Sequence, residues 1–288
     1  MIGKTRQVEA NPGATPAGPG KSRGVLGWPS EVVNLSVSRR LPFPELAGSV
    51  AYYWTVSWDL RGREPHLQET LPHPNVYMVF ENDKLVVSGV ATGKFTRLLE
   101  GRDRTFGVKF KPGGFRPFLQ APVSSLTNRI VAANSIFGED ADALEARLVA
   151  AGKEEETVEE EMVEAANSFF QSQVPQPDES IQLAEQLVER ILQQPEIKKV
   201  EDLADRSGIS KRSLQRIFSE YVGASPKWVI RRYRLHELVE RLNSGEELNW
   251  ADVALELGYF DQAHLINDFR SIVGRSPTGY QELVAKNS

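Results

Sequence analysis

One local design is written twice near the C-terminal end of the chain, and it restricts what this region can fold into. Leu203-Ala204, Gly208, then Leu214 and Phe218 return as Val253-Ala254, Gly258, then Leu265 and Phe269. A small alanine lets two helices cross closely, and glycine tolerates the positive φ that a tight bend between them demands. Each copy then meets a glycine, Gly223 or Gly274, followed by Ser225-Pro226 or Ser276-Pro277. Glycine stops a helix, serine caps the next one, and proline suits its first turn. The copies stand about 50 residues apart before the bend and about 51 after it, so the second carries one extra residue in its turn.

The repeat occupies only part of a chain of 288 residues, a length that suggests about two domains. We expect a tail at residues 1–23, a first domain at 24–172, a linker at 173–178 around Pro175 and Pro177, and a second domain at 179–288. Scattered Gly, Pro and charge in the first 23 residues read as a disordered tail rather than a signal peptide. No run of 18 or more apolar residues exists to span a membrane, and the absence of cysteine excludes disulfides, thiolate metal sites and thiol nucleophiles. The cytoplasm is therefore the expected location.

In the first domain, apolar and aromatic runs at residues 51–58, 76–80, 85–90, 95–99 and 105–110 are separated by turn clusters. Asn82-Asp83 and Gly101-Arg102-Asp103 suit hairpin loops. Short, evenly spaced strands predict a barrel or a sandwich. Helical patterns follow at residues 140–151 and 155–171, the latter with Val158, Met162, Ala165, Ala166, Phe169 and Phe170 on one face. That acidic, one-sided helix suits either a contact between subunits or packing back on its own domain. Between the repeats, residues 226–242 predict one helix of roughly 25 Å, a rod able to hold two helix pairs near the ~34 Å turn of B-DNA.

Charge localises the chemistry. The formal net charge is -5, yet ten basic residues against four acidic lie between Lys198 and Arg234, whereas from Leu235 onward the balance is acidic. In the first copy Leu214, Ile217, Phe218 and Tyr221 form the apolar stripe, which turns Lys211, Arg212, Gln215, Arg216 and Ser219 outward. Arginine pairs bidentately with guanine and glutamine with adenine, so Arg212, Gln215 and Arg216 suit base reading and Lys211 suits a phosphate. The same offset gives Gln262, Asn267 and Arg270 in the second copy, a weaker reading face. His264 there suits packing or a phosphate contact. Of Arg231, Arg232 and Arg234, one or two could reach the phosphate backbone, and ion pairs with Glu237 or Glu240 account for the rest.

Residues 181–281 resemble the DNA-binding domain of the AraC/XylS family of transcription regulators, two helix-turn-helix units joined by one helix. The resemblance rests on Leu203-Ala204, on the run from Ser210 to Phe218, on Gly223-Ala224-Ser225-Pro226 and Arg234-Leu235. It continues through Ala254-Leu255-Glu256-Leu257-Gly258-Tyr259, Asp261-Gln262-Ala263-His264-Leu265 and Ser276-Pro277. Asn267 stands where the family often has arginine, and Leu238 where a small residue is common, so the second unit should read fewer bases. The segment around Lys111-Pro112-Gly113-Gly114-Phe115, with Phe118-Leu119 and Pro122, is similar to sensor domains of some such regulators, small cupin-like β-barrels followed by helices. That similarity implies an effector cavity, with Tyr52, Trp54, Trp58, Tyr77, Phe80 and Phe106 as candidate lining.

The expected fold class is thus α+β in two domains: a cupin-like β-barrel with trailing helices, then an all-α double helix-turn-helix domain. The expected partners are double-stranded DNA and a small-molecule effector, with a homodimer left open and RNA polymerase added if the protein is an activator. No catalytic residue, cofactor or metal is expected. His66 and His73 are the only histidines of the first half, too few for a cupin metal site. The rival readings are a barrel enzyme and a helical protein-interaction module without DNA affinity.

Overall fold

Strand Val50–Asp59 shows how the first domain is built, because its alternate side chains bury on opposite faces of a sheet. The computed structural model describes residues 24–26, 34–152, 157–173 and 178–287; the expected tail and residues 174–177 of the linker lie outside them. The strands are β1 (Val25–Leu26), β2 (Asn34–Arg40), β3 (Val50–Asp59), β4 (His66–Thr70), β5 (Tyr77–Glu81), β6 (Lys84–Ser88), β7 (Phe95–Leu99), β8 (Arg102–Phe110) and β9 (Ile130–Ala132). They form one sheet in the order β2-β3-β8-β5-β6-β9 and a second in the order β1-β4-β7, and every pairing among the described residues is antiparallel. The β5–β6 hairpin turns on Asn82 and Asp83, both left-handed at φ 48° and 57°, the twist that a two-residue hairpin favours.

Each face of the larger sheet has its own partner. Tyr53, Met78, Phe80, Leu85, Phe106 and Phe110 face helices α2 (Glu139–Ala151) and α3 (Val158–Gln171), which follow the short α1 (Asn134–Phe137). The stripe of Val158, Met162, Ala165, Ala166, Phe169 and Phe170 is buried against that sheet. Of the two uses open to this helix, its apolar face takes the packing one. Asn167, 1% exposed, accepts from Tyr53 Oη at 2.9 Å and from the Phe43 amide at 3.1 Å. The opposite face, with Trp54, Val56, Trp58, Tyr77 and Val79, meets the smaller sheet around a cavity of about 320 Å³. β2 and β9 remain edges of the large sheet, so the domain is an open sandwich rather than a closed barrel.

The second half is helical: α4 (Glu179–Gln193), α5 (Val200–Ser207), α6 (Lys211–Ile217), α7 (Pro226–Asn243), α8 (Trp250–Glu256), α9 (Gln262–Val273) and α10 (Pro277–Asn287). Helix α7 joins two cores, giving Val229, Ile230 and Tyr233 to one and Leu235, Leu238, Val239 and Leu242 to the other. Each such fully buried aliphatic side chain contributes about 1.5–3 kcal/mol relative to exposure. The sheet domain reaches into both cores: Val90 packs in the first, and Leu26 and Leu71 in the second. No described helix is long and apolar enough to cross a membrane.

Candidate nucleic-acid interface

The first helix pair closes on the backbone chemistry that its residues dictate. Gly208 adopts φ 69° at the end of α5, Ser210 caps α6 by accepting from the Ser213 amide at 3.2 Å, and Leu214, fully buried, anchors α6 inward. Lys211, Arg212, Gln215 and Arg216 are exposed on the other side of α6. Lys211 Nζ pairs with Glu201 at 2.8 Å, both side chains being more than half exposed. The hydrogen bond from Lys211 lowers the Glu201 carboxyl and raises the lysine in return. An exposed pair of this kind is worth little and yields readily to a phosphate.

The second pair repeats the geometry. Gly258 takes φ 78°, Asn249 caps α8 by accepting from the Ala251 amide at 3.0 Å, and Asp261 caps α9 by accepting from the His264 amide at 2.7 Å. Leu265 and Phe269 are buried, whereas Gln262, Asn267 and Arg270 are exposed. His264 is exposed, and its ring packs edge-on against Tyr259 at 5.2 Å. Phe260, 87% exposed on the turn, had no signal in the sequence pattern.

A cleft of about 600 Å³ opens between the pairs, with Lys211 and Gln215 from α6 and His264 from α9 on its wall. The two later helices therefore face one concavity. Lys198, Lys199, Lys227, Arg231 and Arg234 add to a lining in which Glu201 is the one acidic residue. These lysines belong to the basic segment, but their convergence comes from the fold.

The arginines of α7 hold the fold together, and Arg234 takes the pair with Glu237 that the sequence offered. Arg231 pairs with Asp268 of α9, whose carboxylate also accepts from Tyr259 Oη at 2.6 Å, so this group ties the rod to the second unit. Arg234 donates to the carbonyls of Gln194 and Ile197 at 3.1 Å and pairs with Glu237 at 3.0 Å. Arg232, 1% exposed, turns away from the cleft and donates to the carbonyls of Thr92 at 2.6 Å and Gly93 at 3.2 Å in the sheet domain. Burial pushes its guanidinium down to about 10, and stacking on Trp228 at 4.7 Å offsets part of that cost. Arg231 and Arg234 line the cleft with their guanidiniums held in these pairs, and Arg232 does not.

Ser219 is exposed, with its hydroxyl 3.0 Å from that of Ser124 in the sheet domain, beside an ion pair of Arg116 with Glu220 at 2.6 Å. Of the candidate effector residues, the cavity brings together Trp54, Trp58 and Tyr77. Tyr52 is not part of its wall and lies between Arg39 and Lys109, 5.1 and 5.2 Å from its ring centroid. Phe80 and Phe106 face the helices instead, because β3 pairs Thr55, not Trp54, with Phe106, and a shift of one residue changes the face. Among the described residues no cluster of His, Asp or Glu could hold a metal.

Residues 203–282 match a family described as "Helix-turn-helix domain", and residues 38–132 match a "Domain of unknown function (DUF6597)". Over 95 residues the chain is 32% identical to the probable transcription factor PqrA of Proteus vulgaris, covering 33% of this chain and 77% of that protein. Over 92 residues it is 33% identical to the HTH-type transcriptional activator AarP of Providencia stuartii, covering 30% of this chain and 67% of that protein. An uncharacterized HTH-type transcriptional regulator of Haemophilus influenzae is 32% identical over 96 residues; the match spans 33% of this chain and about a third, 32%, of that protein's length. The solved structure of ToxT from Vibrio cholerae aligns with 88% of this chain and 98% of its own at 10% identity and a TM-score of 0.39, too loose a likeness to bear on the site. Because the matched segment takes in both helix pairs and the rod between them, the chain belongs to the AraC/XylS family of helix-turn-helix transcription regulators.

Proposed function

We propose that this protein is a cytoplasmic, sequence-specific DNA-binding regulator of transcription whose sheet domain, within residues 24–172, takes a small-molecule effector. One observation carries the reading: Arg212, Gln215 and Arg216 are exposed on α6 beside a lysine-lined cleft that α9 shares. Arg212, Gln215 and Arg216 read base edges, and Lys211, Lys199 and Lys227 meet phosphates. Gln262, Asn267 and Arg270 enter the neighbouring major groove with fewer base contacts.

The loop of residues 89–94 couples the effector to the DNA-binding half. Gly89, Ala91 and Phe95 line the sandwich cavity, while the Thr92 carbonyl accepts from Arg232 at 2.6 Å and from Trp228 Nε1 at 3.3 Å. Lys94 then donates to the Val273 carbonyl at the end of α9, at 3.0 Å. One loop thus touches the cavity, the rod and the second unit. An effector that favours one setting of this loop shifts the population of one domain arrangement over another.

The test is a titration of operator duplexes selected from a random pool. Arg216→Ala should weaken binding by about 1–3 kcal/mol and relax discrimination at one base pair. Unchanged binding and unchanged discrimination would remove the assigned reading face.

A further inference from the structure

The sandwich cavity has a lining specific enough to define the chemistry of its occupant, given the reading of this domain as the effector-binding half. Its volume of about 320 Å³ lies at the small end of the roughly 300–1,000 Å³ range of ligand pockets, which excludes large polar molecules. Trp54, Trp58, Tyr77 and Phe95 bring four aromatic rings to the wall, among aliphatic side chains such as Val56 and Val79. Aromatic walls favour a ring that can meet them face-on or edge-on.

Charge narrows the class further. Glu81 and Arg97 are the charged residues of the lining, and they pair with each other, the Arg97 guanidinium also lying 5.7 Å from the centroid of the Trp58 ring. A carboxylate entering here would lose its water and face Glu81; an ammonium would face Arg97. Two donors of the lining stay unmet, Arg97 Nε and a neutral indole N–H. Trp54 Nε1 is buried with no hydrogen-bond acceptor among the described residues. The indole lies so close over Gly107 that a Cβ there would sit 2.2 Å from its ring, so the backbone holds it in place. A buried donor without a partner is costly, and a ligand acceptor would remove that cost.

We propose that the cavity takes an uncharged aromatic molecule that presents one hydrogen-bond acceptor to Trp54 Nε1. Three probes of similar shape test this on the full chain by saturation-transfer NMR: 4-propylacetophenone, 4-propylbenzoate and 1-ethyl-4-propylbenzene. The ketone should bind about tenfold more tightly than the hydrocarbon, and more tightly than the anion. In Trp54→Phe the preference of ketone over hydrocarbon should disappear. If the benzoate binds as well as the ketone, the class is wrong although the cavity still takes a ligand. If none of the three binds up to its solubility, both the class and the effector reading of this domain fall. Should Trp54→Phe not fold, the indole N–H resonances of the unaltered protein decide: one must move downfield with the ketone and not with the hydrocarbon, and its staying put would overturn the assignment.

Discussion

Replacing both Lys199 and Lys227 with glutamine removes two of the four lysines that line the cleft, and its effect can be worked out from phosphate neutralisation alone. Both lysines are exposed, so little folding energy depends on them. Each cation that displaces a condensed counterion contributes about 0.9 to the slope of log K against log salt. The three cleft lysines assigned to phosphates give a slope of roughly -2.7 from this group, and the double substitution should flatten the total by about 1.8. At 0.15 M salt that loss corresponds to about thirtyfold weaker binding. Fluorescence anisotropy on a nonspecific duplex at several salt concentrations measures it. A slope unchanged by the substitution would show that DNA does not enter the cleft, and the functional reading would fail with it.

Two further outcomes test the packing around the site. Asp268→Asn removes a carboxylate, 5% exposed, that receives both Tyr259 and Arg231, and should destabilise the second helix pair by about 2–4 kcal/mol in urea unfolding. A change below about 0.5 kcal/mol would show that this pair does not tie α9 to the rod. Lys109→Met concerns an amine that burial, helped by Arg39, pushes down to about 8. The unfolded lysine titrates near 10.4, so below pH 8 the ammonium is charged in both states and its burial cost is fully present. Between about pH 8 and 10.4 that cost is relieved as the pH rises. The methionine variant should therefore be more stable than the parent by on the order of 1–2 kcal/mol at pH 7, with the advantage fading by pH 10. An advantage that grows with pH would refute the assignment.

The legible parts of this molecule are those where the physics is local. Caps, bends and the stripe of α6 are settled within a turn or two of chain, so Gly208, Ser210 and Gly258 announce themselves in the sequence. Strands β2, β4 and β9 do not, because Asn34–Arg40 and His66–Thr70 are largely polar and Ile130–Ala132 has three residues. The aromatic residues of the large sheet were visible as a set but not by face. Strands buried on both sides mask the period of two, and only the register that pairs Thr55 with Phe106 separates Trp54 from Phe106. Arg232 belongs to the basic segment and yet leaves the cleft, since its partners, the Thr92 and Gly93 carbonyls, lie some 140 residues away along the chain.

Methylation interference on a selected operator tests the central claim most directly, because it records which guanines the protein needs in the major groove. The expected pattern is two clusters about one helical turn, roughly 10 base pairs, apart on one face of the duplex. Only the cluster under α6 should vanish in Arg212→Ala/Arg216→Ala. Clusters on opposite faces, or a pattern that the double substitution leaves intact, would contradict the account.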